Sequence, residues 1–256
     1  MNVLVCVKRV PATGGRISLT PDAQEIDTRY LGFTVSPHEE CAVEEAVRIV
    51  EAHGGESTVL TLGTEASVEQ LHDALAMGID RAVLLETDGT EWDPISTAEA
   101  IARQVQADRE GGRSFDLLLF GNEAADTGDF QVGIRVAELL GLPVATGIKA
   151  IEFGEGSLVA KREVSGGWQD FEVPLPAVLT VKEGINLPRY PSVPGRLKAK
   201  RKPLDRVTSE RVGGGLQKVR LLLPEEDTAE VEILGRGPEA APTVVNMLRK
   251  IGVLTP

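Results

Sequence analysis

The sequence predicts a doubly wound α/β fold built on a mostly parallel sheet. Short, nearly continuous apolar runs, which suit strands buried on both faces, recur through the first 145 residues. Helical patterns lie between these runs, and such alternation is typical of a parallel sheet with helical crossovers. Ligands of such folds bind outside the carboxyl ends of the strands. The predicted parallel strands are Val3–Val7, Thr58–Leu62, Ala82–Glu86 and Asp116–Phe120.

The predicted helices carry start and stop signals. The first begins at Ser36-Pro37-His38-Glu39, a capping box with proline at the first helical position. The second ends before Gly78, and glycine commonly follows the last helical residue. The fourth is followed by Gly141, and we expect Asp129 to cap its first turn. Helices two to four are predicted over Ala66–Met77, Thr97–Arg109 and Asp129–Leu140.

The second half of the chain changes character. Runs separated by glycines predict three antiparallel strands added to the sheet, followed by an extended C-terminal arm with a short strand and a last helix. The expected domains are an α/β domain over residues 1–204 and an arm over residues 205–256. The predicted strands are Ile148–Phe153, Leu158–Val164, Phe171–Thr180 and, in the arm, Lys218–Leu223, and the last helix is Ala241–Ile251.

Composition and motifs argue against several classes of protein. A net charge of −12 disfavours a general nucleic-acid binder, and no run approaches the roughly 20 apolar residues of a membrane span. The N-terminus lacks the order of a signal peptide, and Cys6 and Cys41 form neither a disulfide framework nor a metal cluster. We therefore expect reduced thiols in a cytoplasmic protein. The sequence contains no Walker A motif, dinucleotide fingerprint, nucleophile elbow or zinc-protease motif.

The loop GNEAADTGDFQVG, Gly121–Gly133, directly follows the fourth predicted strand and leads into the fourth helix. Free amides at that helix N-terminus, together with the helix dipole, form an anion site suited to phosphate. A capped turn without a ligand remains the alternative, and Glu123 and Asp126 disfavour an anion unless their carboxylates point away. The amides expected to point outward are those of Phe130, Gln131, Val132 and Gly133.

The segment from Gly184 to Pro203 concentrates positive charge on an acidic protein. Its six basic residues lie within fourteen residues that contain no acid, and four prolines predict a stiff, extended segment rather than a helix or a central strand. Leu187, Tyr190 and Val193 add apolar side chains. The segment is either a solvated linker or a surface that another macromolecule recognises. The basic residues are Arg189, Arg196, Lys198, Lys200, Arg201 and Lys202.

Five motifs in order resemble the β subunit of electron transfer flavoproteins, from the first strand to about residue 204. Each motif is weak by itself, but five in sequence are specific. Ile79 and Ser165 depart from the family's usual Ala and acid. The motifs are VLVCVKRVP at Val3–Pro11, AVEEAVRI at Ala42–Ile49, ALAMGIDRAV at Ala74–Val83, the loop at Gly121–Gly133, and KREVSGGWQDFEVPLPAVLTV at Lys161–Val181.

The resemblance implies a fold of the adenine-nucleotide-binding type and a chain that works with a larger α subunit. FAD is then held mainly by the α subunit, and AMP is bound structurally in this chain, with its phosphate at Asp129–Ile134. Ser36 stands where the family often has Asn. The residues expected at the nucleotide are Cys6, Val7, Ser36, Pro37, His38, Glu39, Leu62, Asp126, Asp129, Phe130, Gln131, Val132, Gly133 and Ile134.

The resemblance also assigns the basic segment to docking of partner dehydrogenases, with Val193 in the place of an apolar anchor that is usually Leu. The implied function is electron transfer from flavin dehydrogenases, such as acyl-CoA dehydrogenases, through FAD to a quinone oxidoreductase, without a catalytic residue in this chain. The arm over residues 205–256 is expected to pack on the α subunit, although its last helix could equally pack on its own domain. The expected docking residues are Leu187, Arg189, Tyr190, Val193, Arg196, Lys198 and Lys200.

Two other functions remain open at this point. A bifurcating family member would hold a second FAD in place of AMP and oxidise NADH. A protein of a different class, a free-standing ATP-binding regulator or ATP-cleaving enzyme, would bind ATP without a partner subunit. Thr13 stands where part of the family has a Tyr that approaches the flavin, so tuning of the flavin by this chain is also open.

Overall fold

The computed structural model describes residues 1–12, 14, 17–213, 215, 217–224 and 232–254, which leaves Thr13 outside the described residues. The chain divides into one compact unit over Met1–Val219 and a second over Arg220–Pro256. A nine-stranded sheet with the order β11-β5-β4-β1-β6-β10-β7-β8-β9 forms the first unit. Its strands are β1 (Val3–Cys6), β4 (Ser57–Gly63), β5 (Arg81–Glu86), β6 (Leu117–Gly121), β7 (Val144–Phe153), β8 (Ser157–Val164), β9 (Gly167–Pro174), β10 (Ala177–Val181) and β11 (Leu204–Thr208).

The predicted doubly wound architecture is confirmed. β1 lies at the centre and pairs in parallel with β4 on one side and with β6 on the other. Alternate residues of β1 therefore face opposite layers, with Val3 and Val5 in the cluster that contains α1 and α2, and Leu4 and Cys6 in the cluster that contains α3 and α4. The helices of the first unit are α1 (Pro37–His53), α2 (Val68–Met77), α3 (Pro94–Glu110), α4 (Val132–Leu140) and α5 (Val193–Ala199).

Two short elements complete the first unit. A two-stranded antiparallel ribbon pairs β2 (Val10–Pro11) with β3 (Phe33–Thr34), so it follows β1 directly and precedes α1. A 3-10 turn over Glu65–Ser67 precedes α2, whose predicted start at Ala66 therefore comes two residues too early.

The predicted strand Phe171–Thr180 is two strands, which corrects the sequence interpretation. β9 is antiparallel to β8, whereas β10 is parallel to both β6 and β7 near the middle of the sheet. Pro174 and Pro176 lack amide donors, so one uninterrupted ladder cannot run through them. The five residues of β10 are all buried, as a continuous apolar run in a parallel strand should be.

Two further corrections concern the segments that follow β10. The basic segment contains a helix, α5, although its prolines predicted an extended conformation. Pro194 lies in the first turn, where a missing amide costs nothing, and the Ser192 hydroxyl accepts a hydrogen bond from the amide of Gly195 at 3.1 Å. Beyond residue 204, β11 extends the sheet by pairing with β5, and residues 217–224 form no strand, so the predicted strand Lys218–Leu223 is wrong.

The second unit contains a 3-10 turn over Pro238–Ala240 and the predicted last helix, α6 (Ala241–Lys250). Val244, Val245 and Ile251 are exposed in this helix or directly after it. No helix among the described residues is long and apolar enough to cross a membrane.

Candidate functional site

Three loops converge at the carboxyl ends of β1, β4 and β6, where the strand order reverses. The amide of Val7 donates to the carbonyl of Leu60 at 2.9 Å, and the hydroxyl of Thr61 donates to the carbonyl of Val7 at 2.8 Å. These bonds attach the loop after β1 to β4. The predicted site residues after β1 and in the loop after β6 therefore lie together at the carboxyl ends of the central strands. This is the usual ligand position in this architecture.

Glu39 joins the start of α1 to the loop after β1. The predicted capping box is confirmed, because the Ser36 hydroxyl accepts from the Glu39 amide at 3.2 Å and Glu39 Oε2 accepts from the Ser36 amide at 2.8 Å. The other carboxylate oxygen, Oε1, accepts from the amide of Lys8 at 2.7 Å. One buried carboxylate therefore joins the loop after β1 to the capping turn at the start of α1.

Burial raises the pKa of Glu39 to about 7, although the amides of Ser36 and Lys8 and the charge of Lys8 oppose the shift. Because the folded pKa exceeds the ordinary value of 4.5, the folded state holds its proton more tightly than the unfolded chain. This contribution to stability is fully present below the unfolded pKa and is lost as the pH rises through about 7.

We expect the free energy of unfolding of the wild type to fall by about 2 to 3 kcal/mol relative to Glu39→Gln between pH 5 and pH 8. The glutamine side chain cannot ionise, so its contribution stays constant over this range. Urea unfolding of both proteins at the two pH values measures the difference. Parallel pH dependences of the two proteins would contradict the assigned titration.

An ion pair links the loop after β1 to the loop after β6. Lys8 Nζ lies 2.8 Å from both carboxylate oxygens of Asp126. The Asp126 carboxylate also accepts from the Thr127 amide at 2.9 Å. Its charge is therefore balanced by a cation from the neighbouring loop, which reduces its repulsion of an anion at the start of α4.

The start of α4 differs from the prediction in its first residue and in its cap. The helix begins at Val132, its N-cap is Gln131, and no side chain of the described residues caps its amides. Asp129 is not the cap, because its Oδ1 accepts from Gln131 Nε2 at 3.0 Å. Gln131 Oε1 in turn accepts from Nε and Nη2 of Arg135 at 3.1 and 2.8 Å. An uncapped helix N-terminus with an arginine in its first turn favours an anion more strongly than a capped one does.

Two glycines allow helices to approach the strand ends closely. A Cβ at Gly121 would lie 2.7 Å from Cγ of Glu39, and a Cβ at Gly133 would lie 3.1 Å from Cγ of Phe120 and from Cγ2 of Thr180. The starts of α1 and α4 therefore both rest against the carboxyl end of β6. A side chain at either position would crowd these neighbours, so glycine permits the close approach.

The predicted nucleotide residues do not all present side chains to the converging loops. Cys6 and Ser36 are buried, Cys6 and Leu62 pack in the apolar cluster with α3 and α4, and burial raises the pKa of the Cys6 thiol. His38 points towards the segment after β10, because its Nδ1 accepts from the Glu183 amide at 2.8 Å. Phe130 and Ile134 are exposed beside the start of α4.

The basic segment forms a second candidate surface, the docking segment, defined here as residues 187–200. Leu187, Tyr190, Val193 and Leu197 expose 91, 96, 74 and 64% of their area. Sequence reasoning missed Leu197, although its spacing of four residues from Val193 places both on one side of a helix. Because no helix was predicted in this segment, the spacing of Val193 and Leu197 did not indicate a shared face.

The basic side chains fall into two groups. Arg189 pairs with Glu44 and Glu51, Arg196 pairs with Asp73 at 3.1 Å, and Lys202 Nζ donates to the carbonyls of Leu75 and Ile79 at 3.0 and 2.6 Å. Lys198, Lys200 and Arg201 form no ion pair in the part of the chain that the structure describes. Positive charge without an ion-pair partner among the described residues is therefore concentrated at the C-terminal end of the docking segment and at Arg201 directly after it.

Comparison with known proteins gives a consistent result. The model of the family described as "Electron transfer flavoprotein domain" matches residues 25–211. The "Electron transfer flavoprotein subunit beta" of Bacillus subtilis strain 168 is 36% identical over 97% of this chain and 98% of its own length. The protein of the same name from Syntrophomonas wolfei is 35% identical over 91% of this chain and 90% of its own length. "Electron transfer flavoprotein subunit beta, mitochondrial" of Arabidopsis thaliana is 35% identical over 81% of this chain and 82% of its own length.

A match to the family over most of the chain, at this identity, agrees with the converging loops and the uncapped start of α4. The chain belongs to the electron transfer flavoprotein β-subunit family.

Proposed function

We propose that this chain is the β subunit of a heterodimeric electron transfer flavoprotein. It accepts electrons from flavin dehydrogenases, such as acyl-CoA dehydrogenases, and delivers them through FAD to a quinone oxidoreductase. The carrying observation is the family match over almost the whole chain, in a fold whose converging loops leave a helix N-terminus uncapped. FAD, held mainly by the α subunit, supplies the one-electron chemistry when bound.

The residues of this chain fit AMP as a structural ligand. The amides of Val132, Gly133 and Ile134 suit its phosphate, and Arg135 adds positive charge one turn into the helix. The loop after β1 and the capping turn, both oriented by Glu39, suit the adenosine. Buried Cys6, Val7 and Ser36 would contribute backbone atoms rather than side chains. The roles of this chain are therefore to bind, to orient and to exclude water.

The partner-binding role rests on the docking segment. Four exposed apolar side chains supply affinity. Lys198 and Lys200, which form no ion pair with the described residues, supply charges that accelerate encounter. A small surface of this kind suits a complex that forms and dissociates at each electron transfer. In the second unit, the exposed apolar residues of α6 are proposed to pack on the α subunit.

Extraction and chromatography of the nucleotides bound to the chain, co-purified with its α partner, tests this function. We expect one FAD and one AMP per heterodimer. Two FAD and no AMP would assign the bifurcating function, and oxidation of NADH would then be the next assay. A stable chain without a partner that holds ATP would overturn the proposal.

A further inference from the structure

Arg189 belongs to the docking segment by position, but its contacts differ from those of the other docking residues. The resemblance assigns Arg189 to direct contact with a partner dehydrogenase. We infer that Arg189 is instead a positioning residue, a clamp that holds the docking segment on α1 while its neighbours meet the partner. The inference rests on the proposed docking function.

Most N–H donors of the Arg189 guanidinium form hydrogen bonds within this chain. Nε and Nη2 donate to the two carboxylate oxygens of Glu44 at 2.9 and 3.0 Å. Nη1 and Nη2 donate to the two oxygens of Glu51 at 2.7 and 2.9 Å. The amide of Arg189 donates to Glu44 as well, at 3.1 Å. Two bidentate pairs leave little hydrogen-bonding capacity for a partner protein.

The burial of Glu44 explains why Arg189 stays in place and fixes the docking segment on α1. Its side chain is only 6% exposed and lies on α1, beneath Arg189. A buried carboxylate without its cation is strongly unfavourable, so Glu44 retains Arg189 in place. The hydrogen bonds with Glu51 and Glu44 raise the pKa of Arg189 further, which agrees with a cation enclosed by two carboxylates.

The other end of the docking segment is attached to α2. A Cβ at Gly195 would lie 2.5 Å from the carbonyl oxygen of Ala76, so the backbones of α5 and α2 are in close contact. Lys202 donates to the carbonyl of Leu75 in the last turn of α2 and to that of Ile79, two residues beyond the helix. Tyr190 and Val193 lie between the two attachments and remain exposed. The attachments thus present the apolar side chains in one arrangement, which reduces the entropy lost on docking.

Substitution of Glu44 separates the two possible roles of Arg189, because they predict opposite changes in the rate of docking. If Arg189 contacts the partner as a cation, Glu44→Gln leaves the segment more positive, and docking should be unchanged or faster. If Arg189 is a clamp, Glu44→Gln places an amide donor against a guanidinium donor, and docking should be slower. Glu44 is too buried to contact a partner itself.

The experiment uses the heterodimer as wild type, Arg189→Lys and Glu44→Gln. Arg189→Lys keeps the charge but loses the planar fork. The first measurement is the rate of tryptic cleavage after Arg196, Lys198 and Lys200, followed by mass spectrometry. The second is the rate of flavin reduction by a medium-chain acyl-CoA dehydrogenase reduced with octanoyl-CoA. Arg48→Lys is the matched control on α1, because Arg48 is exposed and its one ion pair among the described residues is with Glu45, at 3.5 Å.

We expect both variants to be cleaved at least about tenfold faster than the wild type, because the segment opens locally. Reduction by the dehydrogenase should slow by about tenfold, while reduction by dithionite and the FAD content stay unchanged. Arg48→Lys should match the wild type in every measurement. Glu51→Gln, which alters the exposed carboxylate, should give a smaller effect of the same sign and is informative even if Glu44→Gln folds poorly.

Normal or faster docking of Glu44→Gln together with slow docking of Arg189→Lys would overturn the inference and return Arg189 to the partner contact. Unchanged cleavage in both variants would overturn it too. If the wild type itself receives no electrons from the dehydrogenase, the proposed function fails in that respect, whereas the cleavage rates still decide whether Arg189 is a clamp.

Discussion

Val193→Asp is expected to lower the rate of flavin reduction by the partner dehydrogenase at least about 30-fold, while the FAD content of the heterodimer stays unchanged. Val193 exposes 74% of its area and contacts no buried cluster, so its replacement should not destabilise the fold. It is the first residue of α5, where a carboxylate favours the helix. The loss should therefore come from the charge that docking would have to desolvate.

Stopped-flow measurement of flavin reduction at several concentrations of heterodimer measures this effect. Val219→Asp is a suitable control, because Val219 is 84% exposed in the same unit and lies outside the docking segment. Loss of FAD from Val193→Asp would assign the segment to assembly with the α subunit instead. An unchanged rate would place the docking surface elsewhere.

With AMP at the proposed site, Gly121→Val is expected to lower the affinity for AMP about 100-fold or more, so that the purified heterodimer holds none. The new Cβ would lie 2.7 Å from Cγ of Glu39 and 3.4 Å from its amide nitrogen. Either the start of α1 or the loop after β6 must shift, and both contain residues of the predicted nucleotide site. Displacement of Glu39 would also break the hydrogen bonds that the amides of Ser36 and Lys8 donate to its carboxylate. Misplacing several ligand contacts at once accounts for a loss of this size.

Chromatography of extracted nucleotide, with FAD as the internal reference, measures the effect. Gly32→Val is the control, because a Cβ at Gly32 meets no atom within 4 Å and its φ is not in the left-handed region. Full retention of AMP by Gly121→Val would contradict the placement of the site at these loops.

The sequence alone predicted four of the parallel strands, β1, β4, β5 and β6, to within one residue at each end. Continuous apolar runs such as Leu117–Gly121 have few other solutions in a chain of this length, because they must be buried on both faces. The capping box at Ser36 was equally predictable, since its signal lies within four residues. The family resemblance rested on motifs and was confirmed by comparison.

Sequence reasoning was less successful where the neighbours of a segment decide its structure. The prolines of the docking segment indicated an extended chain, but the position of Pro194 in a first turn and the fit of Gly195 against α2 permit a helix. The strand β11 carries mostly exposed residues, so its apolar pattern is weak, and its pairing with β5 is supported by the contacts of buried Arg81 with Asp205. Contacts between residues far apart in the chain decide both structures, and local sequence patterns do not reveal such contacts.

Periodicity, caps and motifs are local properties, so the fold class, the positions of four parallel strands along the chain and the family could be predicted from the sequence. Which charges are available to a ligand or partner depends on contacts that exist only in the folded chain. Asp126 is balanced by Lys8 across two loops, and Arg189 is held by Glu44 from a helix that lies 145 positions earlier in the chain. Charges depend on what surrounds them in space, and long-range contacts determine those surroundings.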